Sequence, residues 1–190
     1  MEESKAACSA ILQQIRSQHK KPLLVAIDGR CGAGKTSLAA LLQEETGCNV
    51  IHMDHFFLQS GQRTKERMQE PGGNVDYERF LEEVMIPLSQ GLAFSYRQFD
   101  CKKMELSSPV QMKQKDVAIV EGSYSCHPSL WDFYDLRIFL SIEPEEQIRR
   151  IRSRNGSEAV SRFRDRWIPL EEQYFNACRI QERCDLVFEM

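Results

Sequence analysis

The 190-residue chain is 42% hydrophobic with a formal net charge of -3, which allows one substantial core and lies close to the lower bound for two independent domains. That balance argues against a general nucleic-acid surface, which needs a concentrated excess of Lys and Arg, and no stretch approaches the roughly 20 apolar residues of a membrane-spanning helix. Seven cysteines, an odd count without a CxxC pair, suggest neither a disulfide framework nor a thiolate zinc site, so reduced thiols in a cytoplasmic setting are expected.

Residues 1–21 carry Ala7, Ile11, Leu12 and Ile15 at helical spacing with charges at both ends, which predicts a helix rather than a signal peptide. Pro22 then precedes Leu23-Leu24-Val25-Ala26-Ile27, a short apolar run typical of a strand buried on both faces. A glycine-rich turn leads into a predicted helix over 36–45, with Leu38, Leu41 and Leu42 on one side and Gly47 as its stop. Residues 48–53 form a second strand candidate. Residues from 59 to about 75 are polar and glycine-containing without an apolar period, and predict a mobile loop that closes over an acceptor.

Helical spacing returns over 76–88, and 94–99 predicts a short strand or hairpin arm. Two further buried strands are expected at 117–120 and 136–142. A strongly basic helix over 143–154 is broken at Asn155-Gly156, a helix resumes over 170–183, and 186–188 forms the last strand. Helices alternating with apolar strands predict one α/β domain over 1–190, a parallel sheet covered by helices on both faces.

Between the first strand and the next helix stands Gly29-Arg30-Cys31-Gly32-Ala33-Gly34-Lys35-Thr36, a complete GxxxxGK[ST] phosphate loop in the context the motif requires. It makes the fold a P-loop NTPase fold. Backbone N–H groups from Gly29 to Ser37, at the head of a helix, are expected to cradle the phosphates of ATP. Lys35 is expected to be a solvent-facing loop residue that bridges the β- and γ-phosphates, and Thr36 to offer its hydroxyl to Mg²⁺.

Asp54 and Glu121 each follow an apolar strand, and the carboxyl ends of parallel strands line the ligand crevice. Glu121 suits a direct or water-mediated Mg²⁺ role. Asp54, also near the metal, is the candidate base for an acceptor hydroxyl. The plainer alternatives are that Asp54 caps a turn and Glu121 pairs with an arginine. In the basic helix, Glu145 and Glu146 stand four residues before Arg149 and Arg150 and explain those two as ion pairs. Arg152 and Arg154 remain as candidates for a small lid, about residues 143–166, that delivers guanidinium groups to the transferring phosphate. The four histidines lack metal-ligand spacing. His55, beside Asp54, is the one that would line an acceptor pocket.

Together the segments AIDGRCGAGKTSLA, Met53-Asp54-His55-Phe56-Phe57, Pro71-Gly72-Gly73-Asn74-Val75-Asp76-Tyr77, Val120-Glu121-Gly122 and Cys184-Asp185-Leu186-Val187-Phe188 resemble the uridine kinase and phosphoribulokinase group of P-loop kinases. The resemblance implies an ATP:nucleoside 5′-hydroxyl phosphotransferase, with Asp54 as base, Glu121 near Mg²⁺ and Arg152 and Arg154 as lid arginines. It also implies acceptor contacts from Asp54, His55, Phe57 and Asp76, the last on sugar hydroxyls, and from Tyr96 or Phe99 on the base. Two departures stand out: Asp54-His55 replaces the group's frequent Asp-Asp or Asp-Ser, and Phe99-Asp100-Cys101-Lys102-Lys103-Met104 lacks the group's base-reading histidine.

The expectation is an ATP- and Mg²⁺-dependent kinase for a small hydroxyl acceptor, nucleoside-like or another sugar-like or pantothenate-like alcohol. No nucleic-acid or membrane partner is expected, and a homo-oligomer is left open. A GTPase is disfavoured because no NKxD segment follows the phosphate loop, and an AAA-type motor by the short chain. The rival is a non-catalytic ATP-binding regulatory module, which would need the phosphate loop but not Asp54.

Overall fold

A computed structural model describes residues 2–190. Helix α1 (Glu2–Ser17) leads into strand β1 (Leu23–Gly29), whose end turns through the phosphate loop into α2 (Lys35–Thr46), closed by Gly47 in the left-handed conformation. Strand β2 (Asn49–His52) follows, and then the segment expected to be an unstructured loop holds a 3₁₀ turn at Ser60–Gln62 and the short helix α3 (Lys65–Gln69). Arg67 pins that segment: it donates to the carbonyls of Gly73 and Val75 and forks onto Glu78 at 2.6 and 2.7 Å.

One continuous helical run comprises α4 (Tyr77–Phe80), a π-helical turn at Leu81–Met85 and α5 (Ile86–Ser89). Strands β3 (Phe94–Asp100) and β4 (Glu105–Met112) form an antiparallel hairpin. After β5 (Val117–Glu121) and β6 (Leu136–Ser141) comes the basic helix α6 (Pro144–Asn155). Gly156 interrupts for a single residue before α7 (Ser157–Arg162). A π-helical turn at Phe163–Trp167 joins α7 to α8 (Ile168–Cys178), so the helical run continues from Ser157 instead of resuming at 170, and the expected 170–183 helix is broken at Arg179, which takes a left-handed conformation (φ 51°). Helix α9 (Ile180–Arg183) and strand β7 (Leu186–Glu189) follow.

The main sheet is parallel, in the order β2-β5-β1-β6-β7. Side chains alternate across a strand, so β1 serves two cores. Val25 and Ile27 pack with Ile11, Leu38 and Leu42 of α1 and α2. Leu24 and Ala26 face the opposite cluster, with Phe80 and Val84 of the α4–α5 run and Tyr174 of α8. Both faces are therefore covered, as the apolar runs require. Gly29 is needed where β1 meets β6, because a Cβ there would lie 2.1 Å from the Leu140 carbonyl oxygen. No helix among the described residues is long and apolar enough to cross a membrane, and all seven cysteines are free thiols.

Candidate active site

The phosphate loop is anchored from below by Asp28, the only charged residue of an otherwise apolar strand. Its Oδ1 accepts from the N–H groups of Gly29 (2.7 Å) and Tyr124 (3.1 Å), and its Oδ2 from the Cys126 N–H (2.8 Å) and the Tyr174 hydroxyl (2.9 Å). One buried carboxylate thus ties β1 to the loop after β5 and to α8. Burial raises its pKa to about 6, against the pull of those N–H donors and of Lys35, and it stays ionised at neutral pH. Directly before the motif, it was visible in the sequence as a charge in an apolar run.

Lys35 corrects an expectation. It is buried, 8% exposed, rather than solvent-facing. The loop's own carbonyl oxygens turn inward beneath it, so its ammonium donates to Gly29 (2.6 Å), Arg30 (3.0 Å) and the Ser123 hydroxyl (3.3 Å). The Ser123 hydroxyl in turn lies 2.7 Å from Oε1 of Glu171, a buried α8 carboxylate whose Oε2 accepts the Cys31 N–H at 2.9 Å. Arg30 points away from the cleft, forked on Glu172 at 2.6 and 3.1 Å. From α6, Gln147 donates to the Cys31 carbonyl and Arg150 to that of Gly32.

At the mouth of the loop the Thr36 hydroxyl lies 3.1 Å from both carboxylate oxygens of Glu121, and His52 Nδ1 approaches the same carboxylate at 2.5 Å. That hydrogen bond raises the pKa of His52. Gly122 holds this corner close, since a Cβ there would come 3.0 Å from that of Met53. Hydroxyl and carboxylate oxygens suit a hard cation that completes its shell with phosphate and water, so Thr36 and Glu121 fit Mg²⁺. Among the described residues no cluster of three or more His, Cys, Asp or Glu side chains could cage a metal alone.

Asp54 stands in the 3₁₀ turn Met53–Phe56 and opens into the same cleft of about 1030 Å³. Desolvation by the cleft walls raises its pKa, the Glu121 carboxylate adds to that, and Lys35, Arg154 and His52 oppose it through charge alone. A carboxyl with a raised pKa and open access can take a proton from a bound hydroxyl.

The phosphate-loop residues from Cys31 to Ser37 line the cleft, as do Glu121 and Phe57. Gly29 and Arg30 close the loop from behind. Of the expected lid arginines, Arg154 lines the cleft and Arg152 does not; Arg149, Arg150, Arg162 and Arg166 join Arg154 there. His55 stays outside the lining, 3.4 Å from the Tyr96 hydroxyl, its pKa pushed down to about 4 by burial and by His52.

Of the acceptor contacts implied by resemblance, Asp54 and Phe57 line the cleft, whereas Asp76, Tyr96 and Phe99, like His55, do not. Asp76 is 2% exposed, caps α4 through the Arg79 N–H and accepts from the Gln62 amide at 3.0 Å. Tyr96 and Phe99, 3% and 4% exposed, lie on the buried face of the hairpin. Period-two alternation turns Tyr96 inward with Phe94, a register shift between Arg97 and Phe99 turns Phe99 inward as well, and the hairpin tip presents Cys101 and Met104 instead. Arg63 also enters the cleft, its Nε donating to the Leu58 carbonyl at 2.9 Å. Sequence reasoning missed Arg63, Ser123, Glu171, Arg162 and Arg166; for these five, nothing in spacing or composition marks them apart from ordinary surface polar residues.

A family model described as an AAA domain, AAA_18, matches residues 25–168. A uridine kinase of Ureaplasma parvum serovar 3 is 24% identical over 172 residues, covering 82% of this chain and 83% of that protein. One of Ureaplasma urealyticum serovar 10 is 24% identical over 173 residues with the same coverage. Among solved structures, a candidate uridine kinase from Bacillus stearothermophilus superposes with a TM-score of 0.73 at 20% identity, covering 98% of this chain and 97% of that one. A candidate fructose transport system kinase from Silicibacter sp. TM1040 gives 0.68 at 22% identity, covering 97% and 98%.

Proposed function

The chain belongs to the AAA_18 family, a P-loop kinase domain, and we propose that it transfers the γ-phosphoryl group of ATP to a hydroxyl of a small, sugar-like or nucleoside-like molecule. One observation carries the reading: Lys35, the Thr36–Glu121 oxygen pair and Asp54 converge on one cleft. A purely regulatory nucleotide site has no need of the last.

ATP would supply the phosphoryl group, and Mg²⁺, when bound, would neutralise part of its charge. Thr36 and Glu121 would hold the cation, and the N–H groups from Gly32 to Ser37 would hold phosphate oxygens. Asp54 orients the acceptor hydroxyl and takes its proton as the oxygen bonds to phosphorus and the bond to the leaving ADP oxygen breaks. Arg154, which shares the cleft with Arg162 and Arg166, stabilises charge that shifts in the transition state.

The names of the curated relatives favour a nucleoside acceptor. The buried positions of Asp76, Tyr96 and Phe99 favour a different alcohol. Acceptor-dependent ADP release with uridine, cytidine, free sugars, phosphorylated sugars and pantothenate decides between them. Absence of ADP release with every acceptor, in a protein that binds ATP, would leave the regulatory module standing.

A further inference from the structure

We infer that Glu171 is an internal anion of the phosphate loop, a positioning residue that takes a loop N–H and keeps Lys35 retracted until nucleotide displaces that arrangement. The inference rests on the nucleotide-binding reading above and concerns a residue beyond the segment that the family model matches.

A phosphate loop works by offering N–H groups and one ammonium to an anion. Here the Cys31 N–H and the ammonium have protein partners. Glu171, 6% exposed, places Oε2 on the Cys31 N–H at 2.9 Å and Oε1 2.7 Å from the Ser123 hydroxyl. The same Ser123 oxygen accepts from Lys35 at 3.3 Å, while Gly29 and Arg30 carbonyls accept the other ammonium protons. The chain Lys35–Ser123–Glu171 therefore runs from the cation of the motif to a carboxylate that lines the cleft. Next door, the fork of Glu172 on Arg30 fixes α8 against the loop, so Glu171 cannot drift away by a rigid shift of its helix.

A buried negative charge beside a site for a triphosphate opposes the ligand, and it also stabilises Lys35 in the retracted position. Both effects weaken nucleotide binding. Bringing Lys35 forward onto phosphate oxygens breaks its bond to Ser123 and leaves Glu171 with the Cys31 N–H and the Ser123 hydroxyl, which are enough to keep it buried.

Glu171→Gln separates charge from shape. The glutamine carbonyl can still accept the Cys31 N–H, and its amide can donate to Ser123, whose hydroxyl is already 3.2 Å from the Gly29 carbonyl and can donate there. The fold should persist, read by an unchanged melting temperature. Calorimetric titration with ATP and Mg²⁺ should give a Kd about tenfold lower than the parent's, from the loss of one opposing charge at short range. The gain should shrink from ATP to ADP to AMP as phosphate charge is removed, a trend that a structural brace would not produce. Ser123→Ala, which keeps the carboxylate but cuts its link to Lys35, should also tighten ATP, by a smaller factor.

Weaker or unchanged ATP binding in Glu171→Gln, with the parent binding ATP, would overturn the inference while leaving the kinase reading intact. If neither the parent nor Glu171→Gln bound ATP, the nucleotide site itself would be lost and the inference with it. Binding by Glu171→Gln alone would support both.

Discussion

The two ends of the cleft are built on different principles. At the phosphate end, strand ends and helix starts carry the site, and nearly every polar group has a buried partner: Asp28 accepts four hydrogen bonds, Lys35 donates three, and Glu171 and Glu121 are each engaged twice over. At the acceptor end, a pinned loop and a hairpin tip supply Phe57, Arg63, Cys101 and Met104, with few fixed polar contacts facing the space. Satisfied networks in low dielectric rigidify, and function concentrated on loops varies easily. Under the proposed function, phosphate chemistry is thus fixed by the scaffold, and acceptor choice is left to segments that can change without disturbing it.

The largest effect expected on that division comes from Asp54, which sits where the two ends meet. Asp54→Asn keeps the side chain's size but removes proton acceptance, so turnover should fall about 10²–10⁴-fold, with ATP affinity by titration nearly unchanged. Near-parental turnover would remove the residue from the reaction. Loss of ATP binding would assign it to the metal instead.

Asp28 tests the phosphate end for stability rather than rate. In Asp28→Asn the amide must face two of four donors; the Tyr174 hydroxyl can turn to accept, but the Cys126 N–H or its counterpart on the other side cannot. One buried N–H is then left without a partner, at a cost of about 3 kcal/mol. Chemical denaturation should show this loss, and a variant as stable as the parent would mean that water enters to replace the carboxylate oxygen.

The same contrast explains what the sequence could tell. The phosphate loop was legible because glycine spacing encodes a local backbone path, and the buried parallel strands because continuous apolar runs encode burial on two faces. Strand β4, Glu105-Leu106-Ser107-Ser108-Pro109-Val110-Gln111-Met112, escaped because it is polar, half-exposed and carries a proline. Asp76, Tyr96 and Phe99 were expected in the pocket by resemblance, yet their facing depends on hairpin packing and helix capping, which motif matching does not encode. Glu171 and Arg63 reach the cleft only through tertiary folding of segments with no pattern of their own.

Arg63 breaks or sharpens the comparison at the acceptor end. Its neighbours Arg67 and Arg79 are neutralised by Glu78 and by Asp76 with Glu83, whereas no carboxylate among the described residues pairs with Arg63. Arg63→Gln should raise the KM for the acceptor about tenfold, the value of one charged hydrogen bond, and leave the KM for ATP alone. An equal rise in both would move Arg63 to the phosphate end.

The smallest effect is expected from Arg152, which the basic pattern of α6 had paired with Arg154. The helix turns about 100° per residue, so two positions separate these side chains by more than half a turn, and only Arg154 reaches the cleft, where its charge acts on Asp54. Arg150, one turn before Arg154, shares its face and lies 3.3 Å from the Gly32 carbonyl. Arg154→Ala should therefore lower turnover more than it weakens ATP binding, because guanidinium contacts strengthen as charge moves in the transition state. Arg152→Ala, on a solvated face, should change turnover by less than about twofold, since exposed charges contribute little at physiological salt. Single-turnover measurement of the two variants at saturating ATP separates them. Equal losses would mean that α6 rotates or bends when the lid meets nucleotide, and a loss confined to Arg152→Ala would place the lid on the opposite face of the helix.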